Sequence, residues 1–209
     1  VKQTPAEKDQ DHLQVIVNNN PKIPDRTDAI LGEGENPVPK MQKSARSLQN
    51  AGASFIVIPC NTAHYYLERI QKSVDIPIFN MIKQISREIK YNSKIGLLAT
   101  NGTLKSGIYE KYLQLKKKES KLVTPQQPYQ KEFMDIIYGE NGVKAGYKNK
   151  QLKKRLLSVI ENIVNQENVD KIIAGCTEVR LVLKNLRERE LIKPIDLIAE
   201  TAVNYAKRQ

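Results

Sequence analysis

The sequence predicts an α/β protein made of two units, each a parallel sheet flanked by helices. Three observations predict it. Short unbroken apolar runs alternate with helical segments along the chain, the pattern of a parallel sheet covered on both faces. That pattern restarts at Lys94. The chain's two cysteines also occupy matching settings, Phe55-Ile56-Val57-Ile58-Pro59-Cys60 and Lys171-Ile172-Ile173-Ala174-Gly175-Cys176. Each is an apolar run, a small or turn-forming residue, the thiol, and then residues that open a helix. Residues 1–93 with 191–209 are expected to form the first unit, which carries Cys60. Residues 94–190 are expected to form the second, which carries Cys176.

Taken in order, Leu13-Gln14-Val15-Ile16-Val17 is a β-branched run that predicts a strand ending at Asn18-Asn19-Asn20-Pro21. A loop follows from 18 to 39, punctuated by Pro and Gly and carrying Arg26. Loops of this length in compact domains are usually functional. Met41, Ala45 and Leu48 recur at helical spacing before Gly52 and predict a helix over 39–51. Residues 55–59 read as a buried strand, 62–73 as a helix with Leu67 and Ile70 inward, and 76–79 as a short strand. Ile82, Ile85 and Ile89 share one face of a helix over 82–90. In the second unit, 94–100 is a strand, Asn101-Gly102-Thr103 a polar turn, and 104–115 a helix. A brief strand at 122–124 leads to a helix over 129–138. The loop after it, Gly139-Glu140-Asn141-Gly142, carries Lys144. An amphipathic helix spans 150–165, a strand 171–174, a helix 178–189, a short strand 194–197 and a closing helix 199–207.

The 209 residues carry 34 Lys and Arg against 23 Asp and Glu, a net charge of +11. That balance permits nucleic-acid binding or steering of small anions. The lysines, however, including Lys116-Lys117-Lys118 and Lys153-Lys154, are interspersed with acidic residues on helix faces. Aromatic residues make up only 6% and form no stacking stripe. Nucleic acid is therefore not expected as a partner. No apolar run is long enough to span a bilayer, so a membrane is not expected either. Two cysteines are too few for a disulfide framework and fit a reducing, cytoplasmic setting. The opening Val1-Lys2-Gln3-Thr4-Pro5 has neither an initiator Met nor a signal peptide, and reads as the interior of a longer gene product.

Ligands of open α/β sheets sit at the carboxyl ends of the strands, where Cys60 and Cys176 both fall. The thiolate is the reactive form of cysteine, and a helix N-terminus favours it. Two thiols in repeated settings suggest chemistry that needs a group on either side of a substrate. His64, four residues after Cys60, offers a Cys–His nucleophile pair as an alternative. The only other histidine is His12, so no metal site is expected. No Gly-rich phosphate loop is present. Gly32-Glu33-Gly34-Glu35 is acidic and would repel phosphate.

Ile58-Pro59-Cys60-Asn61-Thr62-Ala63-His64 and Ala174-Gly175-Cys176-Thr177-Glu178-Val179 closely resemble the two signatures of the aspartate/glutamate racemase family. Asn18 to Thr27, Leu97 to Thr103 and Gly142 to Gly146 also resemble its segments, in order. The likeness is closest to its aspartate racemase branch. It implies a cofactor-independent amino-acid racemase of two pseudo-symmetric α/β domains with the active-site cleft between them, in which one Cys thiolate removes the α-proton and the other thiol returns a proton from the opposite face. It also implies that Cys60 and Cys176 are the acid–base pair. Asn61, Thr62, Thr103 and Thr177 would bind the α-carboxylate and amino group, and Arg26 and Lys144 the side-chain carboxylate. Glu178 would line the site, cap the helix after Cys176 or influence that thiol. The expected partner is aspartate, with glutamate or a broader Asp/Glu range as the alternative, and the expected assembly is a homodimer. The family normally opens with a strand and a Gly-Gly-Met-Gly-Pro-type loop ahead of the stretch that begins here. A dicarboxylate-binding or isomerase relative inactivated by truncation is therefore a further alternative.

Overall fold

The computed structural model describes residues 4–113, 115, 119–169, 171–183 and 191–208. Two parallel sheets organise it. The first pairs β1 (Ile56–Val57) with β2 (Ile78–Phe79). The second runs in the order β4-β3-β5-β6, built from β3 (Lys94–Leu98), β4 (Lys121–Val123), β5 (Lys171–Ala174) and β6 (Leu191–Ile192). Every pairing is parallel. The crossovers are helical, as parallel connections require.

The pleat of the second sheet divides its residues between two apolar layers. Leu98, Ile172 and Ala174 face α7 (Tyr129–Tyr138) and α8 (Lys150–Glu167), packing on Phe133, Ile136, Leu156, Val159 and Ile163. Ile95, Leu97, Ala99 and Ile173 face the other way, onto Ile82 and Ile85 of α4 (Met81–Ile85) and Tyr109 and Leu113 of α6 (Ile108–Leu113). Helix α4 follows the first sheet yet packs on the second. A separate cluster holds α2 (Val38–Asn50) and α3 (Leu67–Gln71) against β1 and β2 through Met41, Ala45, Ile56, Ile70 and Ile78.

Several expected elements differ. Residues 13–17 form no strand. Val15 and Val17 are 75% and 78% exposed, and among the described residues the run pairs with no strand. β-Branched composition favours a strand only where a partner and a buried face exist. The loop expected over 18–39 contains α1 (Arg26–Leu31), capped by Asp25, whose side chain accepts from the Thr27 and Asp28 amides, and closed by Gly32 at φ 87°. Those are ordinary helix start and stop signals. The helix expected over 104–115 starts at Asn101 and is broken at Gly107, whose φ of 63° divides α5 (Asn101–Ser106) from α6. Gln114 lies outside the described residues, as does the Lys116-Lys117-Lys118 run. Residues 194–197 are not a strand. Pro194 starts α10 (Pro194–Ala206), because proline suits a first helical turn and lacks the N–H that a ladder needs. Leu191 and Ile192, expected with the first unit, hydrogen-bond to β5 in the second sheet. Helix α10 then turns back, and Tyr205 meets Phe55 and Phe79 edge-on with ring centroids 5.3 and 4.9 Å apart. Of the helix expected over 178–189, α9 (Glu178–Val182) is described, and 184–189 lie outside the described residues.

His64 fixes the turn after β1. It is fully buried. Its Nε2 accepts from the Met81 amide at 3.0 Å, and its Nδ1 lies 2.8 Å from the Cys60 carbonyl. An amide can only donate, so Nε2 is bare and Nδ1 carries the proton: the ring is neutral. Burial pushes its pKa below the ordinary value, outweighing the backbone contacts that raise it. The unfolded chain therefore takes up a proton that the folded one refuses. Stability is full above about pH 6.5 and falls as the pH drops through that value. Urea unfolding at pH 7.5 and 5.5 should show this loss in the native protein. His64→Leu should flatten the difference while lowering stability at pH 7.5 by about 1–3 kcal/mol, because the Met81 amide is left unpaired.

Candidate active site

The two thiols lie at the carboxyl ends of β1 and β5. Both are free. Cys60 is half-buried, its amide donating to the Ile58 carbonyl at 2.8 Å. The 3₁₀ turn Thr62–Tyr66 starts almost at once behind it. Cys176 is buried. The residue before it must be glycine: a Cβ on Gly175 would sit 2.7 Å from Leu97 Cδ1 and 2.9 Å from the Leu98 carbonyl oxygen. The chain leaving β5 thus passes tightly over β3 and delivers Cys176 at a fixed place.

The charged groups beside the two sulfurs differ. Cys176 Sγ donates to Glu178 Oε2 at 3.0 Å, and Thr177 Oγ1 donates to the same oxygen at 3.0 Å. Burial first, and then the Glu178 carboxylate, push the Cys176 thiol well above the ordinary cysteine range. Charge on Cys60 pushes it further, so the two sulfurs sense each other. The partner of Cys60 is Arg26. Burial works to lower the Arg26 pKa, but the Cys60 sulfur and the Asp25 carboxylate outweigh it and the net shift is upward. Arg26 is held from behind, its guanidinium donating to the carbonyls of Pro24 at 3.0 Å and Ile23 at 3.4 Å.

Beside Arg26 lies a second charged cluster. Lys144 Nζ is 3.0 Å from Asp25 Oδ2 and 3.8 Å above the Tyr138 ring. The Tyr138 hydroxyl reaches Asp25 Oδ2 and Thr27 Oγ1, each at 3.2 Å. Burial works to lower the Lys144 pKa, yet Tyr138 and Asp25 carry it upward. The Lys144 loop hangs from α7, with the Val143 and Lys144 amides bonded to the Ile136 and Ile137 carbonyls.

A chain of buried hydroxyls links this cluster to the thiol turns. Thr27 Oγ1 meets Thr100 Oγ1 at 2.9 Å, Thr100 meets Thr103 at 3.1 Å, and Thr103 meets Thr62 at 2.7 Å. Asn61, next to Cys60, is buried, and its Oδ1 accepts from the Tyr109 hydroxyl at 2.8 Å. Gln130 holds the turn at the end of β3, donating to the Ala99 carbonyl and to Asn101 Oδ1 at 3.1 and 2.8 Å.

The structure thus brings together Cys60 with Arg26, Thr62 with Thr103, and Cys176 with Thr177 and Glu178, and it sets Lys144 against the cap residue of the helix that begins with Arg26. It does not make His64 a partner for the Cys60 sulfur, since backbone groups occupy both ring nitrogens. The alternative of a Cys–His nucleophile pair is therefore removed. Asp25, Thr27, Thr100, Tyr109 and Tyr138 were not singled out in the sequence. Asp25 and Thr100 carry a local signal, as the caps of α1 and α5. Among the described residues no group of three or more His, Cys, Asp or Glu side chains is placed to hold a metal ion.

Fold and site together define an α/β protein of parallel sheets with a thiol at a strand end in each. The Asp/Glu/Hydantoin racemase family model matches residues 1–203, and the chain belongs to that family. It is 28% identical over 164 residues to the broad specificity amino-acid racemase RacX of Bacillus subtilis (strain 168), covering 77% of this chain and 68% of that one. It is 28% identical over 145 residues to the glutamate racemase of Aquifex pyrophilus, covering 68% of this chain and 52% of that one. The chain thus spans about half the length of that glutamate racemase. Among solved structures, Picrophilus torridus aspartate racemase superposes with a TM-score of 0.77 at 26% identity, covering 99% of this chain and 85% of that one.

The two sulfurs should differ in reactivity. Iodoacetamide at pH 7.5, read by peptide mass mapping, should label Cys60 first, with Cys176 at least about tenfold slower, because alkylation needs an accessible thiolate. Glu178→Gln should narrow that gap by removing the carboxylate that opposes charge on Cys176. Equal labelling of both sulfurs in the native protein would contradict the geometry.

Proposed function

We propose that this protein racemises aspartate with two thiols and no cofactor. The observation that carries the reading is the opposite charge placed beside each sulfur: the Arg26 cation at Cys60 and the Glu178 carboxylate at Cys176. Burial and the Glu178 carboxylate keep the proton on Cys176, while the Arg26 cation lies beside Cys60. Inverting a carbon centre requires a base on one face and an acid on the other, and this is one of each. In one direction the Cys60 thiolate takes the α-hydrogen and its electron pair stays on carbon. Cys176 then gives its S–H proton to the opposite face and becomes the thiolate. The reverse direction exchanges the roles, so the protein ends with its proton on the other sulfur.

The carbanion needs stabilising by fixed donors, which act strongly in a dry site. Asn61, Thr62, Thr103 and Thr177 supply donors for the α-carboxylate and amino group in this reading. Arg26 and Lys144 hold the side-chain carboxylate, Arg26 through a planar two-toothed grip. Lys144 is engaged by Asp25 in the structure, so a substrate carboxylate competes with that ion pair. The likeness to an aspartate racemase structure supports aspartate. A second reading, glutamate or both amino acids, is favoured by the relatives named glutamate racemase and broad specificity amino-acid racemase. A homodimer in the cytoplasm acting on a small molecule completes the proposal. Among the described residues no helix is long and apolar enough to cross a membrane.

Incubation with L-aspartate in D2O, without added cofactor, should give deuterium at the α-carbon and D-aspartate. Cys60→Ala and Cys176→Ala should each lower the rate by about 10²–10⁴-fold, the usual worth of a positioned acid or base. A folded native protein that exchanges no α-hydrogen of aspartate or glutamate would defeat the proposal. Arg26→Lys should raise KM for aspartate about 10–100-fold, the loss expected for a charge-assisted bond. Unchanged KM would remove Arg26 from substrate binding.

A further inference from the structure

Asn61 and Tyr109 form a pair that the proposed chemistry leaves half explained. Asn61 follows Cys60 directly and is 2% exposed. Its amide has an acceptor end and a donor end. The acceptor, Oδ1, takes the Tyr109 hydroxyl proton at 2.8 Å. The donor, Nδ2, is buried and has no partner among the described residues. A buried donor with nothing to donate to is uncommon in folded proteins and calls for a reason.

Tyr109 stands in α6 with its ring packed among Ile82, Ile85, Leu97 and Leu113. It is 1% exposed. Its hydroxyl lies within electrostatic reach of both sulfurs. Burial first, then charge on Cys176 and Cys60, hold its pKa well above the ordinary tyrosine value. Tyr109 is therefore a phenol that keeps its proton, and it donates that proton to Asn61. As a donor, the phenol meets the oxygen end of the amide. An amide turned the other way would donate from Nδ2 to the phenol oxygen, leaving the phenol proton and Oδ1 without the bond they make here.

We propose that Tyr109 is a positioning residue that locks the Asn61 amide so its Nδ2 hydrogens face the substrate's α-carboxylate, beside Cys60. The inference rests on the racemase reading for the identity of the substrate and goes beyond it in assigning a role to Tyr109. It explains in one step why a tyrosine reaches the site from the second sheet's helix layer, and why Asn61 keeps an unpaired donor. Tyr109 itself touches neither substrate nor reacting atoms in this account. It acts only through Asn61.

Three variants test it, each checked for folding by circular dichroism and thermal unfolding. Asn61→Asp keeps an oxygen for the Tyr109 proton and loses both donors. It should lower kcat for α-hydrogen exchange from L-aspartate at least about tenfold, as much as Asn61→Ala does. An Asn61→Asp protein of native activity would overturn the proposal, because a purely structural pair is preserved in it. Tyr109→Phe keeps the ring and removes the hydroxyl. It should lower kcat about tenfold with a smaller change in KM, and it should add nothing when combined with Asn61→Ala. A Tyr109→Phe loss that multiplies fully with that of Asn61→Ala would also overturn it. Calorimetric titration with L-aspartate separates this inference from the racemase reading. If the native protein binds L-aspartate without exchanging its α-hydrogen, the racemase reading falls. Weaker binding in both Tyr109→Phe and Asn61→Asp, again without full additivity in the Tyr109→Phe/Asn61→Ala pair, would then uphold the positioning role. Unchanged binding would end it.

Discussion

The site depends on one close approach, that of α1 to α5. A Cβ on Gly102 would lie 2.6 Å from Thr27 Cα and 3.0 Å from its side chain. Only glycine lets the two helices come so near. At that separation Thr27 Oγ1 reaches Thr100 Oγ1 at 2.9 Å, and the hydroxyl chain through Thr103 to Thr62 closes across the joint. Arg26 and Asp25 begin or cap α1, while Thr100 and Thr103 open α5, so the contact that joins the helices also sets Arg26 over Cys60 and Asp25 beside Lys144. A hydroxyl can both give and accept a hydrogen bond, which suits a buried row. Each member satisfies the next without a charge that would need its own counter-ion.

The two cysteine turns begin from one local recipe and end with different electrostatics. Both sulfurs follow a parallel strand and a short connecting turn. Beyond that, the neighbours decide. Cys60 is half-open and faces a cation held by the Pro24 and Ile23 carbonyls. Cys176 is closed in and gives its hydrogen to Glu178, two residues on. The repeat supplies position on either side of the joint, and the side chains around it supply polarity.

How much of this the sequence carries depends on where the deciding contact lies. Helix α7 and strand β5 could be placed to the residue, because the helical period of Tyr129 to Tyr138 and the apolar run Lys171 to Ala174 are each complete within their own spans. The run at 13–17 misleads because β-branched composition says nothing about whether a neighbouring strand exists. The strand expected at 194–197 fails for a local reason: Pro194 is read better as a helix start than as part of an apolar run. The residues expected at the candidate site, the two thiols, Arg26, Asn61, Thr62, Thr103, Lys144, Thr177 and Glu178, come from motifs that lie within short spans. The Tyr138–Asp25 and Tyr109–Asn61 bonds do not. They span 113 and 48 residues, and a tyrosine on an apolar helix face has the same pattern whether or not its hydroxyl has work to do.

The polar arrangement also limits how many protons the centre can lose. Charge on Cys60 raises the pKa of Cys176, and charge on either sulfur raises that of Tyr109. Three ionisable groups therefore oppose one another in a space where charge is poorly screened. Arg26 is the cation that faces Cys60. A charge on Cys176 would face the Glu178 carboxylate, and one on Tyr109 would be buried. Cys176 is thus held as the thiol, and the Tyr109 phenol stays neutral with its proton committed to Asn61. The racemisation proposed above uses that asymmetry: a thiol that keeps its proton stands as the acid, and the sulfur beside the cation stands as the base.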